Sequence, residues 1–334
     1  MKMRQIASLQ VSELGLGCMN MSMGYGPAED DESLELIRSA PDYGVTFLDT
    51  ATMYGSGHNE TLVGKAIAGR RHDFVVASKC GLSSDGIDGR PETLLAQAEA
   101  SLEKLGVDEI DLYYLHRADP AVPIEESVGA LARLVETGKV REIGLSEVST
   151  GTLRRAASEA HIAALQSEYS LWSRTPEAGI LGACRELGVA FVPFSPLGRQ
   201  FLTGKACSVD QLDSSDLRST IARPRFEPDA FSANSALLGP FGKIADRVGC
   251  SKAQLALAWL LAQQDSELIP IPGTRSREHL QENAHAAEVN LDASTITQLN
   301  ALINEDTVTG TRYTADRMAE ADSERDRRTS GADV

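Results

Sequence analysis

Short apolar runs alternate with longer amphipathic stretches from about residue 14 to residue 285 of this chain. The runs at 14–19, 45–48, 74–78, 111–115, 140–145, 163–166, 189–194 and 268–271 are short and apolar, and most of them carry β-branched or aromatic residues, the signature of buried strands. Helical periodicity fills the intervals at 31–40, 60–68, 92–105, 124–136, 152–159, 177–187 and 277–286. Pro91 opens the third of these helices at a first-turn position, where its missing N–H is harmless. Pro41 falls where the first one has to stop. Strands alternating with helices in this number predict an α/β fold, a closed (β/α)8 TIM barrel in preference to an open doubly wound sheet. Right-handed crossovers then bring the C-terminal ends of all the strands to one rim.

Two further helices, 233–248 and 293–303, lie outside the barrel repeat. Residues 198–232 have no clear periodicity and contain Gly198, Gly204, Pro224 and Pro228. An unstructured stretch of that length in a compact domain is usually a functional loop, here on the rim after the seventh strand. Beyond Gly310 both charge signs mix with few large apolar residues. One barrel domain over 1–310 is expected, followed by a C-terminal tail, 311–334, partly disordered towards Val334.

The length of 334 residues suits one such barrel, and a hydrophobic content of 42% is enough for its core. A formal charge of -16, with no basic stripe carrying aromatics, argues against nucleic acid and against an anionic membrane surface as partner. The apolar stretch Leu255-Ala256-Leu257-Ala258-Trp259-Leu260-Leu261-Ala262 is too short to cross a bilayer and ends in Gln263-Gln264. No charged leader precedes an apolar core at the start of the sequence. The five cysteines, Cys18, Cys80, Cys184, Cys207 and Cys250, are scattered without a CxxC pair. They read as reduced thiols of a cytoplasmic protein, and no metal site is expected.

Candidate chemistry sits at the ends of successive strands. Asp49 closes Val45-Thr46-Phe47-Leu48, and Tyr54 follows one short turn later. Lys79 closes Phe74-Val75-Val76-Ala77-Ser78, and His116 closes Asp111-Leu112-Tyr113-Tyr114-Leu115. Each alone has an ordinary explanation: a packed loop tyrosine, a lysine reaching solvent, a satisfied rim histidine, an aspartate capping a turn. Parallel strands bring the four together, which those explanations do not account for. A free phenol has a pKa of about 10 and donates poorly at neutral pH. An adjacent ammonium lowers that value, and a carboxylate offsets the cost of burying the ammonium. The imidazole is left to orient a carbonyl oxygen, so the set reads as a device for protonating an oxygen that becomes alkoxide-like.

The segments Gly15-Leu16-Gly17-Cys18-Met19, Phe47-Leu48-Asp49-Thr50-Ala51-Thr52-Met53-Tyr54-Gly55, Ala77-Ser78-Lys79 and Tyr114-Leu115-His116-Arg117 resemble the motifs of the aldo-keto reductase superfamily. Further on, Gly144-Leu145-Ser146-Glu147, Gln166-Ser167-Glu168-Tyr169-Ser170-Leu171, Phe194-Ser195-Pro196-Leu197-Gly198 and Ile271-Pro272-Gly273-Thr274 match in order, so the likeness runs from about residue 10 to 290. It is strongest to the bacterial and plant branch with the Gly-Leu-Ser-Glu variant, which includes plant alkaloid reductases and general aldehyde reductases. This resemblance implies NADPH-dependent reduction of an aldehyde or ketone, with NADH as the alternative cofactor. Tyr54 would be the acid, Lys79 and Asp49 its tuning pair, and His116 the residue orienting substrate.

The same resemblance implies a cofactor held without a Rossmann fingerprint, and none follows a strand here. Ser146 and Gln166 would bond the nicotinamide carboxamide, and Phe194 would stack on the ring where many relatives have tyrosine. Ser195, Leu197, Gly198 and Arg199 would also contact the cofactor, and the loop 198–232 would fold over the pyrophosphate. Gly273, Thr274, Arg275 and Arg277 lead into a helix start suited to an anion, here the adenosine 2′-phosphate. His279 stands where many relatives have arginine, and Asn283 matches the residue meeting the adenine. Glu147 stands where many have asparagine. Tyr25, Met53 and Trp172 are placed at the substrate mouth. Two other classes stay open: a cofactor-binding regulatory subunit of the same fold with little turnover, and an aldolase-like barrel using Lys79 as a Schiff-base amine.

Overall fold

The computed structural model describes residues 1–263 and 267–326. Seven parallel strands follow one another in chain order through one sheet: β1 (Leu16–Gly17), β2 (Phe47–Asp49), β3 (Val75–Cys80), β4 (Ile110–Leu115), β5 (Val140–Ser146), β6 (Ala164–Glu168) and β7 (Ala190–Phe194). The expected eighth strand is an extended segment that closes the sheet into a (β/α)8 barrel. Ile269 and Ile271 donate backbone N–H groups to Phe191 O (2.9 Å) and Pro193 O (3.1 Å) of β7. On the other edge, the carbonyls of Pro270 and Pro272 accept from Gly15 (2.9 Å) and Gly17 (3.3 Å). The two prolines have no N–H to return, so that edge carries half a ladder and remains irregular. Gly15 and Gly17 are needed for the closure. A Cβ on Gly15 would lie 2.7 Å from the Phe47 ring, and one on Gly17 would lie 2.9 Å from Ile271 O.

Inside the barrel, Phe47, Ala77, Leu112, Tyr114, Ala164, Ala190, Val192, Ile269 and Ile271 pack together with Ile6, Leu9 and Val11. The last three come from an antiparallel hairpin, Met3–Ile6 paired with Leu9–Ser12, that plugs the end where the strands begin. No strand is expected before residue 14 from the apolar pattern, because each arm of the hairpin is only four residues long. Outside the sheet lie α1 (Asp30–Ser39), α2 (His58–Ile67), α3 (Pro91–Leu105), α4 (Ile124–Glu136), α5 (Thr150–Glu159) and α6 (Ile180–Leu187).

The long loop after β7 contains only short 3-10 turns before α7 (Pro228–Ser235) and α8 (Leu238–Val248), where one helix over 233–248 was expected. It crosses the rim to the loop after β1: Leu217 N donates to Gly24 O (2.9 Å), and the Arg218 guanidinium lies 5.1 Å from the Tyr25 ring centroid. The apolar stretch 255–262 falls largely in α9 (Lys252–Leu261), opened by a reciprocal Ser251–Gln254 cap and buried on almost every side. No helix among the described residues is long and apolar enough to cross a membrane. Then come α10 (Arg277–Ala284), α11 (Ala293–Leu302) and α12 (Ala315–Glu320). Residues 311–326 fold back onto the rim, with Arg312 and Glu324 buried. The disorder expected towards Val334 falls on 327–334, and Gln264 on 264–266, both outside the described residues.

Candidate active site

Register sets the spacing of the four strand-end residues. Asp49 of β2 pairs with Ala77 of β3, and Lys79 of β3 pairs with Tyr114 of β4, so lysine and aspartate reach the rim at adjacent depths. The fully buried Lys79 Nζ donates to Asp49 Oδ1 (2.6 Å), Thr50 O (2.8 Å) and Tyr54 OH (3.2 Å). Tyr54 opens a 3-10 turn whose next three residues, Gly55, Ser56 and Gly57, all have positive φ. Two glycines make that left-handed turn accessible. The His116 ring stands edge-on to Tyr54, with centroids 5.9 Å apart. The remaining oxygen of Asp49 accepts from Gln166 Nε2 (2.7 Å), so one carboxylate bridges tetrad and cofactor candidates.

Burial is the largest single influence on Lys79, Tyr54 and His116. It opposes the charge on Lys79, but Asp49 and then Tyr54 override it and hold the ammonium above its ordinary pKa. Burial raises the Tyr54 phenol, and Lys79 only partly pulls it back, leaving it above the ordinary 10.0. Lys79 thus acts in the expected direction without bringing the phenol to neutrality. Burial, Arg117 and Lys79 together push His116 well below its usual value, so the imidazole is neutral. Its Nδ1 is buried with no partner among the described residues.

The expected cofactor residues occupy the neighbouring strand ends. Ser146 and Gln166 are register partners on β5 and β6. Ser146 Oγ accepts from Arg117 Nη1 (3.1 Å), which also donates to His116 O (2.6 Å). Phe194 ends β7 half-buried, and Ser195, Gly198 and Arg199 all have positive φ in a tight turn that includes half-buried Leu197. A Cβ on Gly198 would lie 2.9 Å from the Trp172 indole. Arg199 is turned into the protein, paired with Glu168 (2.6 Å) and bonded to Arg312 O (2.6 Å). Trp172 is likewise buried, stacked on Phe201 at 4.1 Å with Arg225 over it. Met53 and Tyr25 are half-buried at the rim.

At the end of the eighth segment, Thr274 Oγ1 accepts from Ser276 N (3.1 Å), and Ser276 Oγ caps α10 by accepting from His279 N (3.3 Å). Arg277 is exposed at the first position of α10 and has no acidic partner among the described residues. Lys205, from the long loop, lies 3.3 Å from His279 Nε2. Arg275 instead holds the loop after β1, donating to the carbonyls of Tyr25 (3.1 Å), Gly26 (3.4 Å) and Pro27. Asn283 is buried on α10. Asn20 Oδ1 is buried without a partner among the described residues, and a Cβ on the exposed Gly273 would lie 3.5 Å from it. No group of three or more His, Cys, Asp or Glu among the described residues could hold a metal ion.

Residues 13–304 match the sequence profile of the Aldo/keto reductase family. The chain belongs to this family. It is 42% identical over 311 residues to Probable aldo-keto reductase 1 of Glycine max, covering 91% of this chain and 89% of that one. It is 39% identical over 321 residues to Aldo-keto reductase yakc [NADP(+)] of Schizosaccharomyces pombe, covering 93% and 94%. Among solved structures, the glycerol dehydrogenase AKR11B4 of Gluconobacter oxydans superposes with a TM-score of 0.82 at 28% identity over 90% of this chain and 94% of the other.

In this member of the Aldo/keto reductase family, four residues near the site carry no role in the sequence reading: Asn20, Arg117, Lys205 and Arg312. Arg117 directly follows His116 and is the most legible of them. Asn20 and Lys205 lie in loops whose approach only the fold reveals. Arg312 reaches the rim from far along the chain to meet Glu147, and no local pattern marks that pairing.

Proposed function

We propose that the protein reduces an aldehyde or ketone to an alcohol with NADPH, and that Tyr54 supplies the proton. The observation that carries this reading is the position of Lys79 Nζ, bonded to Asp49 (2.6 Å) and Tyr54 OH (3.2 Å), with the His116 ring alongside. Membership of the Aldo/keto reductase family and a relative named for NADP(+) agree with it. The residues present fit such a dinucleotide. Ser146 and Gln166 lie side by side next to the tetrad, and among the described residues Asn20 Oδ1 lacks a partner beside Gly273 and Arg277 has no acidic partner at a helix start.

Ser146 and Gln166 would hold the carboxamide, Phe194 the ring face, and Arg277 with Lys205 and His279 the 2′-phosphate. The bound cofactor supplies the hydride. His116, kept neutral by burial and neighbouring cations, donates a ring N–H to the carbonyl oxygen and fixes its orientation. Tyr54 keeps its proton at neutral pH and delivers it as the oxygen gains charge. The Lys79 ammonium stabilises the phenolate left behind, and Asp49 keeps that ammonium charged in a buried site. Lys79 with three hydrogen-bond acceptors and a raised pKa is a poor Schiff-base amine, which counts against the aldolase reading.

Tyr54→Phe tests the assignment. Steady-state oxidation of NADPH with a nitrobenzaldehyde is expected to fall by roughly 10²–10⁴-fold, with NADPH affinity nearly unchanged. Wild-type protein that binds NADPH but does not oxidise it would favour the regulatory-subunit reading instead. An equal loss of NADPH binding in the variant would remove Tyr54 from its role.

A further inference from the structure

Neither the tetrad nor the cofactor contacts account for the way the segment after Gly310 is built into the rim. Its target is Glu147, the residue directly after Ser146, which has φ +55°. A glutamate in the left-handed region is strained by about 1 kcal/mol or more and persists only where its surroundings impose it. Here every polar group of Glu147 is engaged. Its N–H donates to Gln166 O (2.9 Å), and its carbonyl accepts from Ser323 N (3.1 Å). Its carboxylate accepts from Glu168 N (3.0 Å), Ser323 Oγ (2.8 Å) and Arg312 Nη2 (2.5 Å).

The clasp extends to either side. Arg312 Nε donates to Glu324 (2.6 Å), and its other nitrogen lies 3.5 Å from Glu168. Asp322 accepts from Ser149 N (2.8 Å), while Asp326 accepts from Thr150 N (2.9 Å) and Thr150 Oγ1 (2.7 Å). Residues 312–326 therefore wrap the loop 147–150, which leaves Ser146 and starts α5.

We propose that this C-terminal segment is a working part of the cofactor pocket: Arg312 and Ser323 pin Glu147, which locks the ends of β5 and β6 together and holds Ser146 and Gln166 at the spacing a nicotinamide carboxamide requires. Arg312 is then a positioning residue for a group it does not touch. The inference rests on the reading that Ser146 and Gln166 face the carboxamide. It also explains why glutamate is workable where many relatives have asparagine, since the carboxylate is turned to the tail and its charge is neutralised there.

The test measures calorimetric binding of NADPH and of adenosine 2′,5′-bisphosphate, which lacks the nicotinamide, to full-length wild type, Arg312→Ala, Arg312→Lys and Ser323→Ala. NADPH affinity is expected to fall about tenfold in Arg312→Ala and about threefold in Ser323→Ala, the scale of one lost charged or neutral hydrogen bond. Arg312→Lys recovers part of the loss, binding of the bisphosphate stays within twofold of wild type, and KM for the carbonyl substrate does not move. If Arg312→Ala does not fold, Ser323→Ala and Arg312→Lys decide the matter. Unchanged NADPH affinity in the folded variants, or equal weakening of both ligands, overturns the proposal. Wild-type protein that binds neither ligand defeats the underlying cofactor reading and not the clasp itself.

Discussion

Tyr54 is pulled in opposite directions by its two closest influences. Removal from water disfavours phenolate, the Lys79 ammonium at 3.2 Å favours it, and removal from water is the larger effect. In cofactor-free protein the phenol should therefore remain protonated until the pH exceeds 10.0, the ordinary tyrosine value. Difference absorbance of tyrosinate between wild type and Tyr54→Phe measures this directly. A Lys79→Met substitution removes the group that lowers the pKa, so the Tyr54 transition should move further up. A downward move would show that Lys79 acts some other way. The sequence made the four residue identities and their convergence legible, because Asp49, Lys79 and His116 each close an apolar run and Tyr54 follows one short turn after Asp49. Which influence prevails at Tyr54 was not legible, since it depends on how much water the finished site excludes.

At the scale of elements, the parallel strands and most helices could be read because their periodicity is long and their ends carry proline or glycine. The eighth strand could be read as an apolar run but not as a half-laddered edge, a consequence of alternate prolines meeting Gly15 and Gly17. The N-terminal hairpin escaped because four-residue strands give too little alternation to register. The start of α10 is where an element itself makes a binding feature. Ser276 caps it, Arg277 has no acidic partner among the described residues, and Lys205 arrives from the loop beside His279. Arg277→Ala should weaken NADPH about tenfold while leaving NADH nearly unchanged, on the scale of one charge-assisted contact to phosphate. Binding isotherms for both cofactors decide this. An equal loss for the two would mean that Arg277 serves the helix and not the 2′-phosphate.

Across the whole molecule, the acidic surplus of the chain is not confined to the surface. Glu147, Glu168 and Glu324 are buried around Arg199 and Arg312, joining the rim of β5 and β6 to residues far along the sequence. Composition alone gives no hint of this, because exposed and buried carboxylates count equally in a net charge. Burial is the largest single influence on the Glu147 carboxylate and works against it, but Arg312, Arg117 and the backbone N–H of Glu168 together outweigh it, and the pKa falls from 4.5 to about 2. A folded-state pKa below the unfolded one adds stability that is complete above 4.5 and disappears as the pH falls towards 2. A shift of that size corresponds to roughly 3 kcal/mol. Glu147→Gln cannot titrate, so its deficit relative to wild type should be largest near neutral pH and shrink as the pH drops from about 5 to about 3. Urea midpoints for both proteins across that range follow the difference. A constant gap would mean that the Glu147 charge contributes nothing to holding the C-terminal segment on the barrel, and that its hydrogen-bonding shape alone does so.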